Sequence, residues 1–383
     1  MWQRRSLEER LTLATSQTAR IDISAAPRLV DATGWEPSAW DDLAVRSPMG
    51  EAFQSHAWGE LKRGLGWTPL RYIFELEDRP VAVVSIQERP LLGHRAGPFG
   101  RYRIHYAPRG PVLLSTDPPA VQAALAGLCR VARARHSATL TVDPAWEEGS
   151  GLEAALGGSG FHRAARDVQV SRTAMIVPLE PSEAAQRELL GHTTYADVAR
   201  AISLGVTTEQ IDMADDEARE PALADFYEMH AATGEREGFI VRDRDYELEQ
   251  WRRLGQARVA GLWFAGLAGR RDTGALLLHS GSLLVYFAAG SREDADMRRT
   301  RANHLLQWQI IRWAAEAGFT GYDMGGVDTQ SAPGVPADES HPLWNLYLFK
   351  RRFGGRPVVR LHAYEYAPNA LLGTAWRLAR RFR

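Results

Sequence analysis

The sequence predicts an α/β protein made of two tandem copies of one module. Three observations carry this reading. Strand-like runs of period two alternate with helix-like runs of period 3.6. The order hairpin, strand, helix, strand occurs twice. At 383 residues the chain is long for one domain and natural for two.

Residues 1–20 are polar and charged and read as a leader. Ser55 then reads as the N-cap of a short helix that carries Trp58, Leu61 and Leu65 on one face and ends at Gly64 and Gly66. Lys62 lies at the margin of that apolar stripe. The runs Leu70–Leu76 and Val81–Gln87 form a hairpin across Glu77-Asp78-Arg79-Pro80. A short strand, Arg103–Tyr106, runs into Ala107-Pro108-Arg109-Gly110-Pro111-Val112. A helix starts at Asp117, with Pro118 and Pro119 in its first turn, and Ala138–Val142 alternates as a strand.

The second copy repeats this order. The runs Leu262–Leu267 and Ala275–His279 form a hairpin, and Leu283–Ala288 is a strand containing Tyr286. Asn303 reads as the cap of an apolar helix, Leu305–Ala317, stopped by Gly318. The strand Gly321-Tyr322-Asp323-Met324 follows and breaks at Gly325-Gly326. The boundary between copies is expected near Arg163–Ser171, with helices around Pro181–Leu204 and Pro221–His230 opening the second. Val358–Tyr366 alternates like one final strand. Leu371, Leu372, Ala375, Leu378 and Phe382 then make a helical stripe ringed by Arg377, Arg380, Arg381 and Arg383. That helix reads as a docking element with a solvated basic face, or as a contact for nucleic-acid phosphates or an anionic membrane surface.

A net charge of -1 excludes global attraction to polyanions, so any such site is a local patch. The single cysteine, Cys129, forms no internal disulfide and sits in an apolar helical pattern as a core residue. No apolar run reaches transmembrane length, and the cytoplasm is the default address.

Of 46 lysines and arginines, only Lys62 and Lys350 are lysine. In so arginine-biased a chain these two positions are candidates for sites that need a compact ammonium rather than a planar fork.

Several stretches, in this order, resemble the FemABX aminoacyltransferases. They are Phe53-Gln54-Ser55 with Trp58 and Lys62; Tyr106 through Val112; Gln169 through Thr173; Thr233 through Phe239 with Arg236; Tyr286 through Ser291; Tyr322 through Gly326; and Leu348-Phe349-Lys350 with Phe353-Gly354-Gly355. The resemblance runs from about Phe53 to Tyr366. It implies two tandem acetyltransferase-like domains of the acyl-CoA N-acyltransferase (GNAT) superfamily, with the C-terminal segment returning to the first. The expected division is 21–170 with 360–383 for the first domain and 171–359 for the second, in the short type without an inserted coiled-coil arm. It further implies transfer of an amino acid from aminoacyl-tRNA to an amine on the peptide stem of a UDP-linked or lipid-linked muramyl precursor. Aminoacyl-tRNA is the co-substrate, and no other cofactor or metal is implied.

The same resemblance supplies site residues. Lys350 corresponds to the family lysine near the reaction centre, where it would stabilise negative charge as the donor ester breaks. Phe349 would shape the channel for the tRNA end, and Asp323 would hydrogen-bond the incoming amine or satisfy local backbone. Lys62 matches the lysine at the precursor diphosphate, and Tyr106 and Tyr286, at equivalent points of the two copies, would line the precursor groove. One departure stands out. Tyr195 occupies the position of an arginine that shares the diphosphate in the family, which leaves Arg200 or another arginine to compensate, or a different acceptor.

The residues fit this chemistry. Aminolysis of an ester needs positioned reactants, a neutral amine and a stabilised oxyanion. The ester is already activated, and no Cys/His or Ser/His/Asp pattern argues for a covalent nucleophile. Two alternatives stay open: the same transfer to another amine, and acyl-CoA-dependent N-acylation. The latter draws on Arg252-Arg253-Leu254-Gly255-Gln256-Ala257, a loose pyrophosphate-binding pattern. It ends a predicted helix, however, where such a loop should open one.

Overall fold

The computed structural model describes residues 27–91, 100–292, 299–369 and 371–374. The expected leader at 1–20 and the arginines from Arg377 onward lie outside them.

Two mixed sheets form the framework. In the first, the hairpin Thr68–Leu76 and Arg79–Pro90 is flanked by Arg28–Asp31 on one side and Arg103–Ala107 on the other. Arg103–Ala107 pairs in parallel with Ser137–Val142 along its whole length, and the helix Pro118–Ala134 makes the crossover. In the second sheet, the hairpin Ala260–Leu267 and Thr273–Ser280 is followed by Leu283–Ser291, the helix Ala302–Glu316 and the parallel strand Gly321–Gly326. The repeated order read from the sequence is therefore a repeated topology. Each sheet buries one face under its crossover helix. Leu125, Leu128 and Cys129 fill the first core; Leu306, Ile310 and Tyr322 fill the second.

A third core joins the halves. Trp40, Ala44, Ile73 and Val83 of the first meet Leu254, Val259 and Leu278 of the second. Backbone bonds reinforce the seam, since Gly281 N donates to Val45 O and Ser282 N to Pro48 O. A Cβ on Gly281 would fall 2.6 Å from Gly50 N, so the chain can approach this closely only with glycine there.

Local signals held at several points. Ser55 Oγ accepts from Trp58 N at 3.1 Å, a cap worth about 1 kcal/mol. Gln54 is wholly buried: its Oε1 accepts from Ser85 N at 2.7 Å and its Nε2 donates to Pro108 O. That bond pair explains why glutamine sits between Phe53 and Ser55, because it pins the loop after Arg103–Ala107 to the sheet.

Two expectations need correction. Val358–Tyr366 is not one strand. Arg356–Val359 pairs with Thr173–Pro178 in the second sheet, and Tyr364–Tyr366 pairs with Ser137–Val142 in the first. The alternation continues through a crossing in which Arg360 N bonds Arg172 O and Leu361 N bonds Trp146 O, so extended backbone persists while the partner sheet changes. The helix after the second hairpin starts at Ala302, with Arg301 in a left-handed conformation before it, so Asn303 lies inside the helix rather than capping it.

Candidate active site between the halves

The parallel strands Leu283–Ser291 and Gly321–Gly326 pair only from Leu283–Gly321 to Val285–Asp323. Beyond that point each carries an irregularity, at Phe287 opposite Leu276/Leu277 and between Asp323 and Gly326. Bulges bend strands and re-aim side chains, and here they end the pairing. A cavity of about 340 Å³ opens beside the gap. Its walls come from both halves: Glu51, Phe53 and Arg109 from the first, Tyr286, Asp323 and Gly325 from the second, and Gln169, Arg172 and Arg360 from the crossing segments.

Asp323 is buried and engaged at both oxygens. Arg360 Nη2 donates to Oδ2 at 2.6 Å and Gly325 N donates to Oδ1 at 2.7 Å. Arg360 also donates to Ala145 O at 3.3 Å. Sequence reading missed Arg360; the one available hint was its position at the start of the expected return to the first domain.

Lys350 sits in the helix Trp344–Arg351 with 5% of its surface exposed. It lies behind the Gly325–Gly326 turn and is not itself among the residues that line the cavity. Nζ donates to Gly326 O at 2.8 Å. Burial lowers its pKa to about 8, partly opposed by the nearby Asp323 carboxylate. Gly325 has φ +82°, and a Cβ there would lie 3.6 Å from Lys350 Nζ and 3.4 Å from Tyr286 O. The positive φ calls for glycine at 325, and at Gly326 a Cβ would collide with Ser171. Tyr286 lines the cavity, and burial raises the pKa of its hydroxyl.

Tyr106 stands behind the wall. Its hydroxyl donates to Asp143 Oδ2 at 3.0 Å, and the same carboxylate accepts from Arg109 N and Gln169 Nε2, each at 2.7 Å. Phe349 does not line the cavity; it packs edge-on against His304 and Phe353, supporting the Lys350 helix from behind.

Three expected residues lie apart from the cavity. Lys62 donates to Tyr246 Oη at 2.6 Å, lies 4.2 Å from the Trp58 ring centroid, and has its pKa lowered to about 8 by burial and by Arg242. Tyr195 meets Trp308 edge-on, and the Arg187 guanidinium covers its ring at 3.8 Å. Arg200 is exposed and donates to Arg299 O at 3.2 Å.

The proposed CoA loop is helical. Gly255 lies in the helix Arg244–Gln256 against Met213, and Arg252 is held by Glu220 and Glu249 at 2.7 and 2.8 Å. Amides inside a helix turn have no free face for a pyrophosphate. Among the described residues, no three His, Cys, Asp or Glu side chains gather as a metal site. No described helix is long and apolar enough to cross a membrane.

Comparison with known proteins agrees with this geometry. An acetyltransferase (GNAT) domain family matches residues 194–332, the heart of the second sheet. A solved structure of FemX superposes with a TM-score of 0.74 at 21% identity, covering 91% of this chain and all of that one. The chain shares the fold of FemX. The lipid II:glycine glycyltransferase of Staphylococcus saprophyticus is 23% identical over 87% of this chain and 92% of its own. That of Staphylococcus aureus is 24% identical over 86% and 91%. The resemblance read from the sequence extends over nearly the whole chain, and the GNAT match falls on its second copy.

Proposed function

We propose that this protein transfers an amino acid from aminoacyl-tRNA to an amine on the peptide stem of a lipid-linked peptidoglycan precursor. The observation that carries the reading is the cavity where the two halves meet. There Asp323, Tyr286 and the Gly325–Gly326 turn that holds Lys350 come together. Two relatives matched along nearly their full length are named lipid II:glycine glycyltransferases, and that supports a lipid-linked acceptor.

The chemistry follows from the residues. The Lys350 ammonium has three N–H donors and spends one on Gly326 O. In this reading a second reaches past the Gly325–Gly326 turn to the donor ester oxygen as its bond to carbon breaks, in surroundings where burial strengthens the interaction. With a pKa of about 8 the group stays mostly charged at neutral pH and can also give up a proton. Asp323, clamped by Arg360, holds the strand end and keeps negative charge beside the ammonium. Tyr286 orients substrate along the opened strand, while Tyr106 and Phe349 support the walls. Lys62 binds precursor phosphate at the seam between helices His56–Arg63 and Arg244–Gln256. Arg187, exposed and stacked on Tyr195, is the arginine that takes over the missing phosphate contact. Work on a lipid-linked acceptor would bring the protein to the inner membrane surface.

The test is transfer of labelled amino acids from a panel of charged tRNAs to lipid-linked and UDP-linked muramyl pentapeptides, with mass detection. Ribonuclease-sensitive addition of one amino acid mass to the lipid-linked acceptor is expected. Absence of transfer from every charged tRNA would sink the proposal. Transfer to other amines alone would move the acceptor away from muropeptides.

A further inference from the structure

The cavity is lined by two carboxylates, Glu51 and Asp323. They differ in what already holds them. Both oxygens of Asp323 accept short bonds, from Arg360 Nη2 and Gly325 N. Among the described residues, no donor lies within hydrogen-bonding distance of the Glu51 carboxylate, and its closest cation is Arg360 Nη1 at 3.9 Å. Its backbone is fixed from both sides: Glu51 N donates to Ala44 O, and the next amide, Ala52 N, donates to Ser280 Oγ of the second half at 3.0 Å. The side chain is 17% exposed, and that exposure faces the cavity.

We propose that Glu51 is the catalytic base that takes the proton from the attacking amine. The inference rests on the aminoacyl-transfer reading above. In the step, the amine lone pair attacks the ester carbonyl carbon and a C–N bond forms. The N–H proton passes to the Glu51 carboxylate. The ester C–O bond breaks with its electron pair on the departing ribose oxygen, and that oxygen receives the proton from Glu51. One proton thus moves from nitrogen to oxygen, and the carboxylate is restored.

The surroundings suit a base. Arg360 and Arg109 face Glu51 and favour its ionised form, Asp323 and Asp143 face it and disfavour it, and burial is the largest influence, raising its pKa above the ordinary carboxylate value. A raised carboxylate is a stronger proton acceptor, and it is inactive once protonated. Transfer should therefore fall as pH drops through that raised pKa.

The experiment compares native protein with Glu51→Gln and Glu51→Asp in single-turnover transfer from charged tRNA to lipid-linked precursor across the pH range. Glu51→Gln is expected to lose about 100-fold or more in rate and to lose the acid limb of the pH profile. Precursor affinity and thermal midpoint should stay near native. Glu51→Asp should retain a displaced acid limb at reduced rate, which keeps the test decisive if the glutamine variant folds poorly. A native rate and acid limb in Glu51→Gln, or a limb lost in Glu51→Asp, would overturn the role. If the native protein itself transfers nothing from any charged tRNA, the aminoacyl-transfer reading falls and the role with it.

Discussion

Arg360 and Asp323 meet through a buried ion pair of 2.6 Å that locks the strand Gly321–Gly326 of the second sheet to the segment crossing back to the first. The pair fixes the distal wall of the cavity, so both fold and site depend on it. Removing the arginine alone leaves a buried carboxylate without its cation. Arg360→Met is expected to lower unfolding free energy by about 3–5 kcal/mol, measured by denaturant titration. The double variant Arg360→Met, Asp323→Asn should recover much of that loss. An additive double variant would show that the two side chains are not coupled.

Lys350 carries a stability cost that its function explains. Burial depresses its pKa from 10.5 to about 8. Between those values the unfolded chain holds a proton that the folded chain has released, so stability rises with pH across that window. Lys350→Met should abolish transfer, gain about 2–3 kcal/mol at neutral pH and lose the alkaline rise. Lys350→Arg should lower turnover more than precursor binding, because a planar fork does not fit a site built around one carbonyl. Unchanged turnover in Lys350→Arg would remove its assigned role.

Lys62 titrates where binding can report it. Its pKa, lowered to about 8 by burial and by Arg242, means the ammonium is charged below that pH and neutral above it. Affinity for the precursor diphosphate should weaken as pH rises through about 8. Lys62→Met should bind weakly at every pH and show no such transition. Titration calorimetry on both proteins checks this, and a transition surviving in Lys62→Met would assign it elsewhere.

Arg187 and Arg200 separate two ways of replacing the arginine absent at Tyr195. Arg187 lies over the Tyr195 ring and is exposed to solvent, whereas Arg200 is turned to Arg299 O. Arg187→Ala should weaken precursor binding by about 1–3 kcal/mol, as expected for a lost charge-assisted bond. Arg200→Ala should leave binding near native. The opposite ranking would return the phosphate contact to Arg200.

Gly325 tests the left-handed turn at the opened strands. Its φ of +82° is strained for any residue with a side chain, although a methyl group there would meet Tyr286 O only in ordinary contact at 3.4 Å. Gly325→Ala should cost about 1–2 kcal/mol from the left-handed backbone and reduce turnover more than precursor affinity. Denaturant titration and steady-state kinetics check the two halves of that expectation.

Sequence by itself determined the repeated module, its hairpins and crossover helices, and the cap at Ser55. These follow from local periodicity and turn chemistry, which need no distant partner. It also marked Lys350, Lys62 and the Gly325–Gly326 break, because scarcity of lysine and a paired glycine are visible along the chain. Tertiary structure alone decided which copy opens. Both modules carry a tyrosine near the end of the equivalent strand, yet Arg103–Ala107 stays paired with Ser137–Val142 while Leu283–Ser291 parts from Gly321–Gly326. The parting depends on bulges set by the register with neighbouring strands, and on Arg360 reaching Asp323 from 37 residues away. It also took the fold to bring Glu51 to the same cavity. No local pattern encodes a contact between elements so far apart, since its geometry exists only once both sheets are formed and docked.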